Sequence, residues 1–219
     1  MLVSRDFLAR PATEVAPELL GLVLEHETDD GLVAVMLTEV EAYAGSIEPA
    51  SHSFRGMTGR NAVMFGPPGH AYVYFTYGMH FCANVVCSPA GVATGILLRA
   101  GRVLVGEELA RRRRGFDSAR APRDLARGPA RLCQAMAINR SQDGEDLLDP
   151  SGRLRLREAA SHERPAEPPQ IEAGPRVGVS QAADIPWRFW LAQDPTVSVY
   201  RPSVPRAARA ARSTGSSRR

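Results

Sequence analysis

Two glutamates and a tyrosine alternate along one stretch of the chain, at Glu39, Glu41 and Tyr43. The surrounding run, residues 32–43, is apolar and then alternating, which predicts a strand, and a strand's period of two places the three side chains on one face. Carboxylates at i and i+2 have Cα atoms about 6.5–7 Å apart, a spacing that suits an acid–base pair for cleaving a glycosidic bond. Two solvated strand carboxylates are the alternative reading of this pattern.

Tyrosines are concentrated in the same half of the chain. Four of the five lie close together in sequence: Tyr43, Tyr72, Tyr74 and Tyr77. Tyr72 and Tyr74 share a strand face, and a plain aromatic core strip would explain that pair as well as a binding site would. Tyr77 precedes Gly78 in the middle of the apolar run 71–87. We therefore expect two strands joined by a tight turn, with Tyr77 at the tip as a contact surface or a wedge.

Every basic residue is an arginine, and the absence of lysine excludes two kinds of chemistry. A P-loop requires a phosphate-binding lysine, and Schiff-base catalysis requires an amine, for which only the N-terminus remains. The three cysteines, Cys82, Cys87 and Cys133, are too few and too scattered for a disulfide framework or a zinc site. We interpret them as packed core thiols and expect neither a metal nor another cofactor.

The positive charge is unevenly distributed, although the net charge is only +3 with a pI near 9.0. Arginines cluster between residues 111 and 131 and again between 201 and 219. Such clusters suit contacts with phosphates, but a solvated helix face and a frayed tail would explain them equally well. No apolar run approaches the roughly 20 residues of a membrane span, and residues 1–14 lack the apolar core of a signal peptide. We expect a soluble, intracellular, cytoplasmic protein.

The element pattern predicts one mixed α/β (α+β) domain, dominated by hairpin-connected and hence largely antiparallel strands. Strands are predicted at 22–26, 32–43, 71–87, 92–99, 177–179 and 187–191, and helices at 11–20, 104–114 and 128–138. A long loop, 44–70, separates the second strand from the tyrosine-rich hairpin, and long ordered loops are often functional. We predict a domain over residues 1–200 and a basic, disordered tail over 201–219.

Seven segments, in order, closely resemble the alkyladenine (3-methyladenine) DNA glycosylase family: TEVEAYAG at 38–45, ASHS at 50–53, RNAVMF at 60–65, YVYFTYGMHFCAN at 72–84, ILLRA at 96–100, GPARLCQA at 128–135 and RVGV at 176–179. The resemblance extends from about residue 5 to residue 200. The arginine-rich segment 111–127, the region 139–170 and the tail match no motif of the family. The resemblance implies a curved sheet surrounded by helices, with a protruding β-hairpin.

The resemblance implies a catalytic set in which Glu41 is the general base that activates a water. Arg99 and the backbone carbonyl of Val177 would help to position that water. Other residues would line the pocket for the flipped purine: Tyr43, His52, Tyr74 and Asn84. Of these, Asn84 would disfavour normal guanine by crowding its 2-amino group.

The resemblance also implies residues that contact the DNA. Tyr77 would enter the minor groove and fill the gap left by the extruded nucleotide. Further residues would lie near the DNA backbone: Arg60, Asn61, Met79 and His80. His80 differs from the bulky aromatic residue that the vertebrate form has at this position.

The implied activity is monofunctional excision of alkylated or deaminated purines, such as 3-methyladenine, 7-methylguanine, hypoxanthine and ethenoadenine, from double-stranded DNA. Hydrolysis by an activated water would leave an abasic site, without lyase activity. We expect a monomer that associates with the DNA of the nucleoid. A non-catalytic protein that binds damaged DNA and a carbohydrate hydrolase using Glu39 and Glu41 are the alternatives.

Overall fold

The two longest apolar runs form the centre of an antiparallel sheet in the computed structural model, which describes residues 1–117, 119–165 and 167–203. These strands are β2 (Gly31–Tyr43) and β5 (Thr94–Val105), and they pair along most of their length. The other strands in the described parts of the chain are β1 (Val23–Thr28), β3 (Ala71–Thr76), β4 (His80–Cys87), β6 (Leu154–Arg157), β7 (Ile171–Gly174) and β8 (Arg188–Leu191).

The sheet has the order β3-β4-β5-β2-β1-β6, with β8 beside one end of β2 and β7 beside β8. All the pairings between these strands are antiparallel. The helices of the described chain are α1 (Arg5–Leu8), α2 (Ala12–Glu18), α3 (Glu107–Arg114) and α4 (Pro129–Met136). The fold is a single α+β domain with a curled sheet, as the sequence predicted, and β3 and β4 form its hairpin.

A β-bulge in β2 decides which side chains reach the functional side of the sheet. Val33, Val35 and Leu37 belong to the main core beneath the helices, and after the bulge Val40 and Ala42 continue that core. The extra residue shifts the alternation by one position, because side chains on a strand alternate with a period of two. Without the shift, Glu39 and Glu41 would point into the apolar core between the sheet and the helices.

Gly101 makes this bulge possible. It pairs with Leu37, and a Cβ at Gly101 would lie 2.4 Å from the carbonyl oxygen of Met36 and 2.3 Å from a methyl of Val35. Such distances are far below van der Waals contact, so the two strands approach at this point only because residue 101 has no side chain.

Several predicted element boundaries were wrong, each for a local reason. The strand predicted at 92–99 continues to Val105, so the helix predicted at 104–114 begins only at Glu107, after Gly106 with its φ of 78°. Residues 177–179 do not form a strand, because the N–H of Val177 bonds to a buried carboxylate and Gly178 has a φ of 71°. Strands β6 and β7 lie in a region to which the sequence assigned none.

Of the predicted tail, residues 204–219 lie outside the described residues. Among the helices that are described, none has the length and apolarity needed to cross a bilayer.

We expect Gly101→Ala to lower the free energy of unfolding by about 1–3 kcal/mol, the usual cost of overpacking. The added methyl must push β2 and β5 apart at the bulge. Urea denaturation measures the change, and Gly59→Ala is the control because a Cβ there meets nothing within 4 Å. Equal stability of the two variants would show that the bulge tolerates a side chain and that our account of it is wrong.

Candidate active site

A guanidinium bridges two buried carboxylates on the face of the sheet opposite the helices. Arg99 on β5 contacts Glu39 through Nε at 2.8 Å and Glu41 through Nη1 at 3.2 Å. Both glutamates are fully buried on β2. Burial by itself would lower the pKa of Arg99, but the two carboxylates outweigh it and raise that pKa, so Arg99 remains charged.

Glu41 accepts hydrogen bonds from three directions. The backbone N–H of Val177 donates to Oε1 at 2.7 Å, and the hydroxyl of Tyr43 donates to Oε2 at 3.0 Å. Arg99 supplies the third contact. The sequence led us to expect the carbonyl of Val177 at this site, whereas the contact observed with Glu41 is made by its N–H. A carboxylate surrounded only by donors is held in one orientation as an acceptor.

Glu39 has a different environment, and its hydrogen-bonding capacity is used within the protein. Oε1 accepts from Arg99 and from Nε of Arg188 at 2.7 Å, and the backbone N–H and hydroxyl of Ser198 donate at 2.7 and 2.8 Å. Glu39 therefore has a structural role, because its oxygens are already bonded to protein groups. This argues against the carbohydrate hydrolase alternative, in which Glu39 and Glu41 would flank a scissile bond.

The pKa of Glu39 is lowered by its partners. Burial would raise the pKa, but the nearby charges of Arg99 and Arg188 and the N–H of Ser198 outweigh it. Two carboxylates and two guanidiniums thus balance in charge, which is the condition for keeping ions inside a protein.

An aromatic pocket lies next to Glu41 and encloses about 370 Å³ including its open mouth. The side chains that line it come mainly from β2, β3, β4 and the long loop: Tyr43, Ala50, His52, Met64, Tyr72, Tyr74, Asn84 and Gly95. All four residues predicted for the pocket therefore line one cavity.

The rings of the pocket are held against each other. His52 and Tyr74 have centroids 4.5 Å apart with an interplanar angle of 72°, and Nδ1 of His52 lies 3.1 Å from the hydroxyl of Tyr72. Burial, together with the charge of Arg60, lowers the pKa of His52, so its ring is neutral at pH 7. Burial also raises the pKa of Tyr74, and burial together with the charge of Glu41 raises that of Tyr43. The pocket therefore offers uncharged rings and protonated hydroxyls.

The tip of the β3–β4 hairpin projects Tyr77 into solvent, with 75% of the residue exposed. Tyr77 and Gly78 have φ values of 51° and 68°, and the N–H of Met79 donates to Thr76 at 3.2 Å. Two consecutive positive φ angles define a type I′ turn, which matches the twist of paired strands. Met79 and His80 are exposed beside Tyr77, and their contact with DNA stays a prediction.

Arg60 and Asn61 lie in the long loop, and only Arg60 is at the surface. The guanidinium of Arg60 lies 5.7 Å from the ring centroid of Tyr74 and donates to the carbonyl of Phe75 at 3.0 Å. Asn61 is buried, with only 3% of the residue exposed. Its side-chain amide donates to the carbonyls of His52 and Gly56. We predicted that Asn61 lies near the DNA backbone, but its side chain is hydrogen-bonded within the loop that carries His52.

Sequence reasoning missed several residues of the site: Tyr72, Arg176, Arg188 and Ser198. Arg176 is fully buried, with its guanidinium 4.7 Å from the ring centroid of Tyr43 and 5.3 Å from that of Trp187. It bonds to the carbonyl of Ala42 and pairs with Glu48. The alternation of tyrosines could have indicated Tyr72. The contacts of Arg188 and Ser198 with Glu39 span more than 140 residues and left no local signal.

Enzymes that act on a base inside a DNA duplex need a pocket that receives the extruded base and a group that fills the gap left in the duplex. The protein has both kinds of feature: an aromatic pocket next to a buried carboxylate, and an exposed tyrosine at the tip of a hairpin. In the described parts of the chain, no group of three or more His, Cys, Asp or Glu side chains could hold a metal ion.

Comparison with known proteins gives the family. Residues 6–195 match the family model described as methylpurine-DNA glycosylase, and the chain belongs to the methylpurine-DNA glycosylase family. A Streptomyces avermitilis protein is 52% identical over 209 residues, covering 94% of this chain and 95% of its own length. A Leifsonia xyli protein is 53% identical over 203 residues, covering 90% and 92%. Both relatives have 3-methyladenine DNA glycosylase in their names. The chain is thus a DNA glycosylase, a DNA-binding hydrolase that acts in the repair of methylated purines.

The Glu39 network makes the stability of the fold depend on pH. Because the folded-state pKa of Glu39 is lowered, its contribution is complete above the unfolded pKa of about 4.3 and is lost as the pH falls through the folded value. We expect Glu39→Gln to lower the free energy of unfolding at pH 7 by about 3 kcal/mol, because it removes the anionic partner of Arg188 and one of the two anionic partners of Arg99.

Urea denaturation between pH 3 and pH 7 checks this expectation. The stability gap between the wild type and Glu39→Gln should narrow as the pH falls below about 4.3, because the unfolded wild type then takes up a proton that the folded Glu39 does not yet accept. Glu172→Gln on β7 removes an exposed carboxylate and should change little. A gap that stays constant down to pH 3 would contradict the assigned role of Glu39.

Proposed function

We propose that the protein excises alkylated purines from duplex DNA by hydrolysis, with Glu41 as the general base. The observation that carries this proposal is the placement of Glu41. Its carboxylate is bonded to Tyr43, which lines the pocket, and to Arg99 and Val177, which line an arginine-rich groove. A base bound in the pocket would therefore present its glycosidic bond close to this carboxylate.

The attacking water is activated by proton transfer to Glu41. General-base catalysis requires the base to be within hydrogen-bond reach of the proton that it accepts. Glu41 is fully covered in the free protein, so the site itself must supply the water rather than bulk solvent. Arg99 and Val177 fix the orientation of the carboxylate, and the carbonyl of Val177 remains our predicted second contact for the water.

Hydrolysis by water leaves an abasic site and an unbroken strand. A bifunctional glycosylase would instead need an amine nucleophile, and no side chain of this protein supplies one, since the sequence has no lysine and only the N-terminal amine remains. We therefore propose a monofunctional enzyme without lyase activity.

The pocket favours positively charged purines. N3- and N7-alkylpurines carry a positive charge, and neutral aromatic rings attract a cation by roughly 0.5–2 kcal/mol. The same charge makes these bases good leaving groups. Hypoxanthine and ethenoadenine are neutral and need assistance to leave, so we propose that they are excised more slowly than 3-methyladenine and 7-methylguanine. Asn84, whose amide donates to the carbonyl of Tyr72 at 3.0 Å, is positioned to crowd the 2-amino group of guanine.

We expect Glu41→Gln to reduce single-turnover excision by at least about 10³-fold, because it removes the proton acceptor and changes little volume. Binding to lesion-containing duplex should persist. The measurement is release of 7-methylguanine from labelled duplex under enzyme excess, with Glu25→Gln on β1 as a control that removes a carboxylate ion-paired to Arg157. Excision by Glu41→Gln at the wild-type rate would refute the assignment of Glu41 as the base.

We expect Tyr77→Ala to weaken binding to lesion-containing duplex by about tenfold, because the gap left by the flipped nucleotide is no longer filled. The fold should be unaffected, since Tyr77 is largely exposed. Tyr77→Phe retains the ring and should bind like the wild type in a fluorescence-anisotropy titration. Equal affinities of all three proteins would show that the hairpin tip does not enter the duplex.

A further inference from the structure

The four consecutive arginines of α3 do not all have the same role. Some are bonded within the protein, and others are available to bind a ligand. Arg111 is buried, pairs with Glu107 at 2.8 Å and donates to the carbonyls of Asp117 and Arg120. Arg113 donates to the hydroxyl of Thr28 at 2.6 Å. These two arginines hold α3 and the following loop in place. Their side chains are therefore used within the protein, and Arg114 has to be considered separately.

Arg114 and Arg120 pack on one aromatic ring. Their guanidinium carbons lie 4.7 and 5.0 Å from the ring centroid of Phe116. The ring holds both side chains in place without neutralising them. Arg131, on the exposed side of α4, is close enough for its charge to act on the same group: burial and the charges of Arg131 and Arg120 lower the pKa of Arg114. We call Arg114, Phe116, Arg120 and Arg131 the Phe116 cluster.

In the described part of the chain, the three arginines of this cluster have no acidic partner. Within residues 1–117, 119–165 and 167–203, no carboxylate lies within 4.0 Å of their guanidinium nitrogens. Like charges that are held together without a counter-charge repel one another and are favourable sites for an anion. The nearest acidic residue in sequence, Asp117, accepts from the backbone N–H of Ala119 instead.

The cluster adjoins two grooves, one that reaches Arg99 and one at the base of the hairpin tip. Arg131 lines the same groove as Arg99, Arg127 and Arg201, so the charge continues from the cluster towards the catalytic carboxylate. Arg114 donates to the side chain of Gln134, which in turn lines a groove with Met79 and His80 at the base of the hairpin tip. A duplex entered by Tyr77 would pass close to both grooves.

We propose that the Phe116 cluster binds backbone phosphates of the duplex that flank the flipped nucleotide. This inference rests on the proposed function, since it needs the duplex to lie across the hairpin tip and the pocket. Arginine suits the role because its planar fork donates two hydrogen bonds to a phosphate while its face remains stacked on an aromatic ring. The contacts carry no sequence information and fix the position of the duplex.

The test is the salt dependence of DNA affinity. Each phosphate contact contributes about 0.9 to the slope of log K against log salt concentration. Fluorescence anisotropy with an unmodified duplex, between 50 and 250 mM NaCl, gives this slope for the wild type and for Arg114→Ala/Arg120→Ala. We expect the magnitude of the slope to fall by about 2.

Arg112→Ala/Arg153→Ala is the matched control, because it removes the same charge from exposed positions outside the cluster. Arg112 lies two residues before Arg114 and points to another side of α3, and Arg153 pairs with Asp29. Arg120→Ala tests the proposal with the least effect on folding, since Arg120 is exposed, and it should lower the slope by about 1. Arg114→Lys/Arg120→Lys should retain most of the slope, because the charges remain.

Equal slopes for the cluster variants and the control would overturn the proposal. That result would leave the proposed function intact if the wild type still releases methylated bases. Conversely, a wild type that releases no base would refute the proposed function, while the slopes would still report whether the cluster contacts DNA.

Discussion

The rest of the site depends on one buried interaction, the guanidinium of Arg99 between the carboxylates of Glu39 and Glu41. Charges removed from water must be paired and hydrogen-bonded, or they destabilise the fold. Arg188 and Ser198 complete the pairing at Glu39, while Val177 and Tyr43 complete it at Glu41. The network therefore joins β2, β5, β8 and the segments before and after β8. Its consequence for function is that Glu41 is held in one orientation before any substrate arrives.

In the proposed mechanism, the same strands carry both the chemistry and the recognition. β2 supplies Glu41 and Tyr43, and the β3–β4 hairpin supplies the inner wall of the pocket at one end and Tyr77 at the other. A ligand in the pocket and a group inserted by the hairpin are therefore connected through paired backbone rather than through a mobile loop. Rigid positioning of this kind is what preorganised catalysis requires, because misplacement by about 1 Å can cost 10²-fold in rate. The bulge opposite Gly101 is the local feature that turns the two carboxylates towards this side.

Local sequence pattern predicted the parts of the structure that depend on local rules. The alternation of Glu39, Glu41 and Tyr43 gave their common face, and Tyr77-Gly78 gave the hairpin tip, because strand period and turn chemistry are local. The family resemblance brought His52 and Asn84 to the same pocket, which spacing alone could not do. The role of Glu39 and the buried position of Asn61 were missed, since both depend on partners supplied by distant or irregular segments. The false strand at 177–179 has the same origin, because an apolar run cannot show that its N–H bonds to a buried carboxylate.

The most direct test of the account is an excision assay on end-labelled duplexes that contain a single 7-methylguanine, hypoxanthine or ethenoadenine, analysed with and without alkali. The account predicts that the base is released while the strand stays intact, and that breakage at the lesion appears only after alkali treatment. It also predicts faster release of 7-methylguanine than of the two neutral bases. Breakage without alkali, or lesion-selective binding without any base release, would contradict hydrolysis by a water activated at Glu41.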